Sequence, residues 1–355
     1  MTKTIENRIA ESTELLQQLI STSSYSREES GTADLIVAFF SKNQVPVERL
    51  HNNVWAYNKY YDPEKPTILL NSHHDTVKPN PGYTRDPFAP TVEDGKLYGL
   101  GSNDAGGCLV SLIATFLHYY NQPNLNYNLC LLASAEEEVS GSNGVEEAIK
   151  HLKAISFAIV GEPTLLDLAI AEKGLMVLDC ESIGISGHAA REEGENAIYK
   201  AMDDITWFRN YRFEKESNYL GPVKMSVTLI QAGSQHNVVP ASCTFVVDVR
   251  TTDVYSNAEV LAIIESHVQS NVKARSTRLN SSRIAMEHPI VQSGLALGRA
   301  VYGSPTMSDQ ALIPYPSIKV GPGDSARSHT ADEFIFVQEI EDGIHFYIKI
   351  LAGLL

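Results

Sequence analysis

Two histidines and three acidic residues stand at comparable places along this chain. Each follows a predicted strand or a strand-like segment, and together they are His73, Asp104, Glu138, Glu162 and His329. Because open α/β sheets place functional residues at the carboxyl ends of their strands, we expect these side chains to meet at one sheet edge. Imidazole and carboxylate groups without a thiolate suit two Zn²⁺, Co²⁺ or Mn²⁺ ions that share one carboxylate.

Taken singly, each of these residues also has an ordinary structural explanation. His73 would be a loop histidine beside Asp75, Asp104 a helix cap, and His329 a surface residue in a capping loop. The acidic run at 136–138 would be a solvated face. However, three acids directly after a buried strand repel one another and lose hydration unless a cation compensates them. With a metal at His73, Asp75 would hydrogen-bond the imidazole from behind.

The elements that must position these residues indicate an α/β domain with a largely parallel sheet. Short continuous apolar runs, typical of strands buried on both faces, occur at 67–71, Asn128–Ser134 and Phe157–Val160. Helices are predicted at 5–21, 31–42 and 106–120. Buried strands that alternate with helices favour this class.

The pattern changes in the middle of the chain. Alternating, half-buried strands are predicted at 175–182, 224–231 and 243–250, with helices at 196–209 and 257–272. We therefore predict an inserted α+β domain at 174–285. The catalytic domain would comprise 1–173 and 286–355, where the helix-forming, apolar pattern returns.

Composition excludes several classes of protein. The 355 residues include 43 acidic and 28 basic side chains, a net charge of −15, which argues against nucleic acid or an anionic membrane as a partner. The four cysteines form no Cys-x-x-Cys pair, and the first residues lack the apolar run of a signal peptide, so a cytoplasmic location is expected. The glycine-dense stretch 99–107 is neither a dinucleotide fingerprint nor a P-loop.

In their order along the chain, these residues resemble the metallopeptidase family of acetylornithine deacetylase and succinyl-diaminopimelate desuccinylase. The resemblance runs from the first histidine to the segment after the last and includes the inserted domain. It implies that His73 and Glu162 hold one metal and that Glu138 and His329 hold the other, with Asp104 between them. It also matches Glu137 to the general base and Asp75 to the acid behind the first histidine.

The inserted domain contains further matches, which imply a lid and a homodimer. The stretch 184–188 resembles the lid motif, whose histidine, here His188, stabilises the oxyanion, often across a dimer. By the same resemblance Asn237 and Arg250 would bind the carboxylate of the substrate, and we expect Lys173 to add a third contact to it. Without this resemblance, we would interpret His188 as an ordinary loop histidine and Arg250 as an exposed strand residue that forms a salt bridge. The motif departs from the family's His-Ser-Ser at 188–190, which reads His-Ala-Ala.

The predicted activity is metal-dependent hydrolysis of the amide bond of a small, anionic N-acyl amino acid. Acetyl or succinyl derivatives of ornithine or citrulline, compounds of arginine biosynthesis, fit this description, and Zn²⁺ is the preferred metal. Two alternatives stay open. A metallo-aminopeptidase or dipeptidase would need an acid for a free α-amine, for which Glu136 is a candidate, and a metal-binding protein without catalysis would not need Glu137.

Overall fold

The structure is a computed structural model that describes residues 4–191 and 193–355. Its α-helices are α1 (Ile5–Ile20), α2 (Ser30–Lys42), α3 (Gly107–Tyr119), α4 (Val145–Ile149), α5 (Ala197–Asn210), α6 (Asn257–Glu265), α7 (Pro289–Ala296) and α8 (Val337–Ala352). None of these helices combines the length and the apolar character that a membrane crossing requires.

The strands fall into two larger and two smaller sheets. In chain order they are β1 (Glu48–Leu50), β2 (Asn53–Tyr57), β3 (Thr67–His73), β4 (Thr91–Glu93), β5 (Lys96–Tyr98), β6 (Asn128–Ser134), β7 (Phe157–Val160), β8 (Leu168–Glu172), β9 (Gly174–Ile183), β10 (Gly187–His188), β11 (Lys224–Ala232), β12 (Val238–Val239), β13 (Ser242–Thr251), β14 (Asn271–Ala274), β15 (Ser282–Arg283), β16 (Val301–Ser304), β17 (Ser317–Lys319) and β18 (Phe334–Phe336).

The first compact unit comprises Met1–Ile170, Arg283–Tyr302 and Ser308–Leu355. Its main sheet has the order β1-β2-β6-β3-β7-β17-β8-β15, and its centre is parallel, since β3 pairs in parallel with both β6 and β7, and β7 with β17. Strands β3, β6 and β7 are buried along their whole length, as their apolar sequences predict. Helix α3 packs on β3 and β6 and against α1 and α8, which explains why it is almost entirely buried. The predicted α/β class is confirmed.

The second compact unit comprises Ala171–Ser282 and Gly303–Met307, against a predicted insertion at 174–285. Its antiparallel sheet has the order β11-β13-β9-β14. Burial alternates along β9 and β13, so one face of the sheet is apolar. Side chains of α5 and α6, such as Phe208 and Ile264, form a core with that face. The opposite face carries Asp179 and Glu181 of β9 and Thr244 and Asp248 of β13 beside several apolar side chains.

One helix is shorter than predicted. The sequence predicts a helix over 257–272, but α6 ends at Glu265 and the chain then turns into β14. The carboxylate of Asp204 accepts the backbone N–H groups of Gln269 and Ser270 at 3.1 and 2.8 Å, and these bonds hold the turn. The acceptor lies on α5, so no local pattern near 265 could predict where the helix stops.

Candidate metal centre

Three neighbouring parallel strands end at one edge of the main sheet, and predicted site segments follow each of them. His73 is the last residue of β3 and pairs with Ser134, the last residue of β6. The acidic turn at 136–138 follows β6, and Glu162 follows β7 after a single glycine. Since β3 lies between β6 and β7, the chain brings an imidazole and several carboxylates to one edge.

Asp104 and His329 reach the same place from two loops. Asp104 lies in the short helical turn Ser102–Gly106, which leads into α3, and His329 lies just before β18. Glu333 lies in the loop that carries His329, and its carboxylate is buried. It accepts the backbone N–H groups of Gly101, Asn103 and Asp104 at 3.0, 2.8 and 2.9 Å. Glu333 therefore ties the Asp104 turn to the His329 loop.

The five side chains predicted to bind metal are linked by close contacts, and ligand atoms of His73, Asp104 and Glu138 all lie within 4.8 Å of one another. Nε2 of His73 is 3.3 Å from Oδ1 of Asp104 and 3.7 Å from Oε1 of Glu162. Nε2 of His329 is 2.9 Å from Oε2 of Glu138 and 3.6 Å from Oδ2 of Asp104. The two oxygens of Asp104 thus face different histidines, each of which has a second carboxylate beside it.

Burial strongly affects the acids of this cluster. It raises the pKa of Glu162 to about 8, against the favourable charge of His73 and together with the repulsion of Asp104. It also raises the pKa of Glu137 well above the ordinary range, and the nearby carboxylate of Glu162 adds to this shift. A buried carboxylate prefers its neutral form unless a positive charge lies beside it.

The histidines supply positive charge in the absence of metal. The hydrogen bond to Glu138 raises the pKa of His329 to about 9. Burial alone would lower the pKa of His73, but its hydrogen bonds to Asp104 and Asp75 raise it well above 6.5. Raised pKa values mean that the two imidazoles hold protons next to the three carboxylates. Two imidazoles and three carboxylates are a donor set that fits divalent metal ions, and such ions would replace the protons on the imidazoles.

Asp75 differs in part from its expected arrangement. Nδ1 of His73 lies 3.0 Å from the backbone carbonyl oxygen of Asp75 but 3.5 Å from its carboxylate. That carboxylate accepts the backbone N–H groups of Glu137 and Glu138 at 3.0 and 3.2 Å and the hydroxyl of Ser26 at 2.7 Å. Asp75 therefore positions the acidic turn directly and orients the imidazole mainly through its main chain.

The sequence profile of Peptidase family M20/M25/M40 matches residues 69–353, which span every side chain of this centre. The chain belongs to this family. It is accordingly a hydrolase of the M20 family.

Solved structures resemble this M20 chain over nearly its full length. Aminopeptidase PepT from Bacillus cereus has a TM-score of 0.75 at 17% identity and covers 100% of both chains. The M20 metallo-carboxypeptidase Sso-CP2 from Sulfolobus solfataricus has a TM-score of 0.72 at 18% identity, over 97% of this chain and 99% of that one. The Bacillus subtilis YXEP protein, a dinuclear metal-binding M20 peptidase, has a TM-score of 0.72 at 17% identity, over 98% of both chains. At these identities the likeness concerns the fold.

The M20 site includes an acid that sequence reasoning missed. Asp309 is buried, and its Oδ2 accepts the hydroxyl of Ser134 at 2.6 Å and the side-chain amide of Asn71 at 2.8 Å. Burial raises its pKa to about 6, and its charge contributes to the raised pKa of Glu137. No continuous apolar run lies directly before Asp309, so the sequence pattern that predicted Glu138 and Glu162 at the ends of buried strands does not indicate Asp309.

The other four predicted site residues of this M20 chain lie in the second unit. His188 and Asn237 lie close together, since β10 pairs with β12 and the backbone N–H of Ala189 donates to the carbonyl of Asn237 at 3.0 Å. The His188 side chain is exposed, and its Nδ1 accepts the N–H of Ala190 at 3.1 Å.

The two predicted cations of the second unit differ in their surroundings. Nε and Nη2 of Arg250 donate to the two carboxylate oxygens of Asp248 at 2.8 and 3.1 Å. Lys173 is only 8% exposed, and burial lowers its pKa, with further lowering from the positive charges of Lys224 and Arg250. Arg250 is therefore compensated by an acid, whereas Lys173 faces other cations.

Proposed function

We propose that this M20 protein hydrolyses the amide bond of an N-acyl amino acid at a centre with two divalent ions, Zn²⁺ in preference to Co²⁺ or Mn²⁺. The observation that carries the proposal is the pair of histidines around Asp104, each with a second carboxylate, next to the buried carboxyl group of Glu137. Acetyl or succinyl derivatives of ornithine or citrulline are the substrates proposed, within arginine biosynthesis.

The five side chains around Asp104 would hold the metals. His73 and Glu162 would bind one ion, Glu138 and His329 the other, and Asp104 both, as the distances of its two oxygens to the two histidines suggest. When bound, the ions supply Lewis acidity, which polarises a carbonyl group and lowers the pKa of water toward about 7. Asp75 and Glu333 would keep the acidic turn and the Asp104 turn in place through their backbone hydrogen bonds.

Glu137 would be the proton carrier of the reaction. Its carboxylate would accept a proton from the attacking water and return it to the amine as the amide bond breaks. His188, from its own subunit or a partner's, would donate a hydrogen bond to the developing oxyanion. Asn237, Arg250 and Lys173 would bind the carboxylate of the substrate.

We also propose that the protein is a homodimer formed through the second unit. Strand β11 is an edge strand, and its Leu229 and Ile230 are 60% and 54% exposed. Tyr199 and Met202 on α5 are 68% and 55% exposed. Apolar side chains on an open sheet edge favour pairing with a second chain. In analytical ultracentrifugation, the wild type should sediment as a dimer and Leu229→Lys as a monomer. A wild type that sediments as a monomer would contradict the proposal.

A peptidase is the second candidate, because several structural neighbours are named as peptidases, among them aminopeptidase PepT and the di-peptidase Dug1p from Saccharomyces cerevisiae. A free α-amine would need an acid near the metals, and Asp309 offers a buried carboxyl group beside Glu137. Fold likeness alone does not decide between an acyl amino acid and a peptide.

Hydrolysis of a substrate panel would decide between an acyl amino acid deacylase and a peptidase. N-acetyl- and N-succinyl-ornithine, both citrulline analogues and an unblocked dipeptide would be assayed with Zn²⁺ and with Co²⁺. We expect turnover of an acyl amino acid, reduced about 10²- to 10⁴-fold in Glu137→Gln, because that variant loses the general base. The exposed Glu64→Gln change is the matched control. Turnover of the dipeptide alone would favour the peptidase, and silence on the whole panel would overturn both.

A further inference from the structure

Four consecutive backbone N–H groups of the acidic turn donate to side chains rather than to other main-chain atoms. They belong to residues 135–138, and the four bonds are 3.0 to 3.2 Å long. Oδ1 of Asn53 accepts the first of these N–H groups, and Oε1 of Glu29 accepts the second. The two oxygens of Asp75 accept the third and the fourth. Every N–H group of this run therefore has its acceptor in another part of the chain.

The three acceptors are buried and come from different elements. Glu29 directly precedes α2, Asn53 is the first residue of β2, and Asp75 lies two residues beyond the end of β3. Glu29 and Asn53 are 0% exposed. The side-chain amide of Asn53 also donates to the carbonyl oxygen of Asn143 at 2.6 Å, so Asn53 joins both ends of the loop 135–143. Because the acceptors are buried, removing one leaves a buried N–H group without a partner, which is unfavourable.

The conformation of the acidic turn also requires support from outside it. Glu136 has a left-handed backbone with a φ of 57°, and Ser140 has one with a φ of 45°. Non-glycine residues adopt this region uncommonly, so contacts with other elements must hold it. Glu137 follows Glu136 directly, and its place depends on the same contacts. A carboxyl group that transfers a proton must lie within hydrogen-bond reach of the reacting atoms, and a misplacement of about 1 Å can lower the rate about 10²-fold.

We propose that Glu29 and Asn53 are positioning residues, which hold the backbone of the acidic turn so that the carboxyl group of Glu137 lies within reach of the proton it transfers. This inference deepens the proposed function and rests on it for the role of Glu137. Glu29 acts through one acceptor oxygen, because its other oxygen, Oε2, is buried and has no hydrogen-bond partner in the part of the chain that the structure describes. Burial raises the pKa of Glu29, and the charges of Asp75 and Glu136 add to this shift. A neutral side chain with the same acceptor should therefore serve in its place.

Kinetics of variants at position 29 distinguish an acceptor from a charge. Glu29→Gln keeps an oxygen for the N–H of Glu136 and removes the charge, so its kcat should stay within about threefold of the wild type. Glu29→Met has a similar volume but no acceptor, and its kcat should fall about 10- to 100-fold. With Zn²⁺ in excess, metal content should be unchanged in both variants and KM should stay within about threefold, since the residue acts through Glu137 and not on the substrate. Asn53→Leu, which removes the acceptor for Ala135, should behave as Glu29→Met does.

The exposed neighbour Glu28 provides the matched controls, Glu28→Gln and Glu28→Met, which should leave kcat unchanged. Hydrogen exchange, read by mass spectrometry on peptides that span 135–138, should be faster in Glu29→Met and Asn53→Leu but not in Glu29→Gln. Equal exchange in the wild type and Glu29→Met would show that Glu29 does not hold the turn. If Glu29→Met does not fold, Glu29→Asp withdraws the acceptor by one methylene group and should lower kcat in the same way.

The outcomes separate this inference from the proposed reaction. An equal loss of kcat in Glu29→Gln and Glu29→Met, or no loss in either, would overturn the positioning role. A loss of kcat that appears only together with a loss of metal would also overturn it, because the whole centre would then be distorted. If the wild type hydrolyses nothing on the substrate panel, the proposed reaction fails, and crystal structures of the Zn²⁺-loaded wild type and Glu29→Met then decide. A Glu137 carboxyl group displaced by about 1 Å or more would support the inference, and an unmoved one would overturn it.

Discussion

Replacing the buried Asp309 by asparagine should stabilise the metal-free protein at neutral pH. Burial raises the pKa of this carboxyl group from 3.8 to about 6. A displacement of that size corresponds to about 3 kcal/mol, at 1.36 kcal/mol for each factor of ten in the proton equilibrium. Asparagine has no charge to desolvate, and its Oδ1 can still accept from Ser134 and Asn71, as Oδ2 of the aspartate does.

The effect should have a definite pH dependence. Below about pH 4 the carboxyl group is protonated in both the folded and the unfolded chain, and the two variants should be equally stable apart from small packing differences. As the pH rises from about 4 to about 6 the unfolded chain releases its proton first, so the wild type loses stability relative to Asp309→Asn. Above about pH 6 the difference should stay constant at no more than about 3 kcal/mol.

Urea unfolding of chelator-treated protein between pH 4 and pH 8 would measure this difference. Asp203→Asn, at an exposed position on α5, controls for the loss of one negative charge from an acidic chain. A stability difference that does not change with pH, or an Asp309→Asn variant that is less stable than the wild type at pH 7, would refute the reasoning. With Zn²⁺ present the difference should shrink, because nearby positive charge favours the aspartate.

Two further predictions concern the metals and the loop that holds Asp104. Zn²⁺ added to chelator-treated protein should raise its melting temperature, with about 4 kcal/mol of stabilisation for each site at a thousandfold excess over Kd. Calorimetric titration should give two ions per chain. A stoichiometry of one ion per chain would contradict a dinuclear centre. Glu333→Ala leaves three backbone N–H groups around Asp104 without their acceptor. The free energy of unfolding in urea should therefore fall by several kcal/mol, at about 1–3 kcal/mol for each donor, and elemental analysis should show less bound metal. Unchanged metal content would show that Glu333 does not position Asp104.

The sequence could predict the parts of the centre that follow apolar strands. Strands β6 and β7 have the predicted bounds, and His73 and Glu162 follow from where β3 and β7 end. A continuous apolar run is a local signal, because a strand buried on both faces needs apolar residues at every position. The position of the ligands relative to the sheet edge then needs no long-range information.

Asp309 could not be predicted in this way, since its role depends on contacts between distant parts of the chain. Its two hydrogen-bond partners lie 238 and 175 residues away in sequence. The bonds from the acidic turn to the Asp75 carboxylate are also non-local, since they span 62 and 63 residues. Only the packed fold brings these donors and acceptors together, so a local pattern finds the ligands but not the groups that hold them.

Two segments of the candidate centre contain a non-glycine residue with a left-handed backbone. Glu136 and His329 have φ values of 57° and 58°, in the left-handed region that non-glycine residues adopt at a cost of about 1–2 kcal/mol. At Glu136 the buried Glu29 accepts its N–H at 3.1 Å, so a further buried acid is needed to hold the turn. Left-handed backbone strain and buried charge both lower stability. Their coincidence on the segments that present Glu137, Glu138 and His329 is expected where metal binding offsets both.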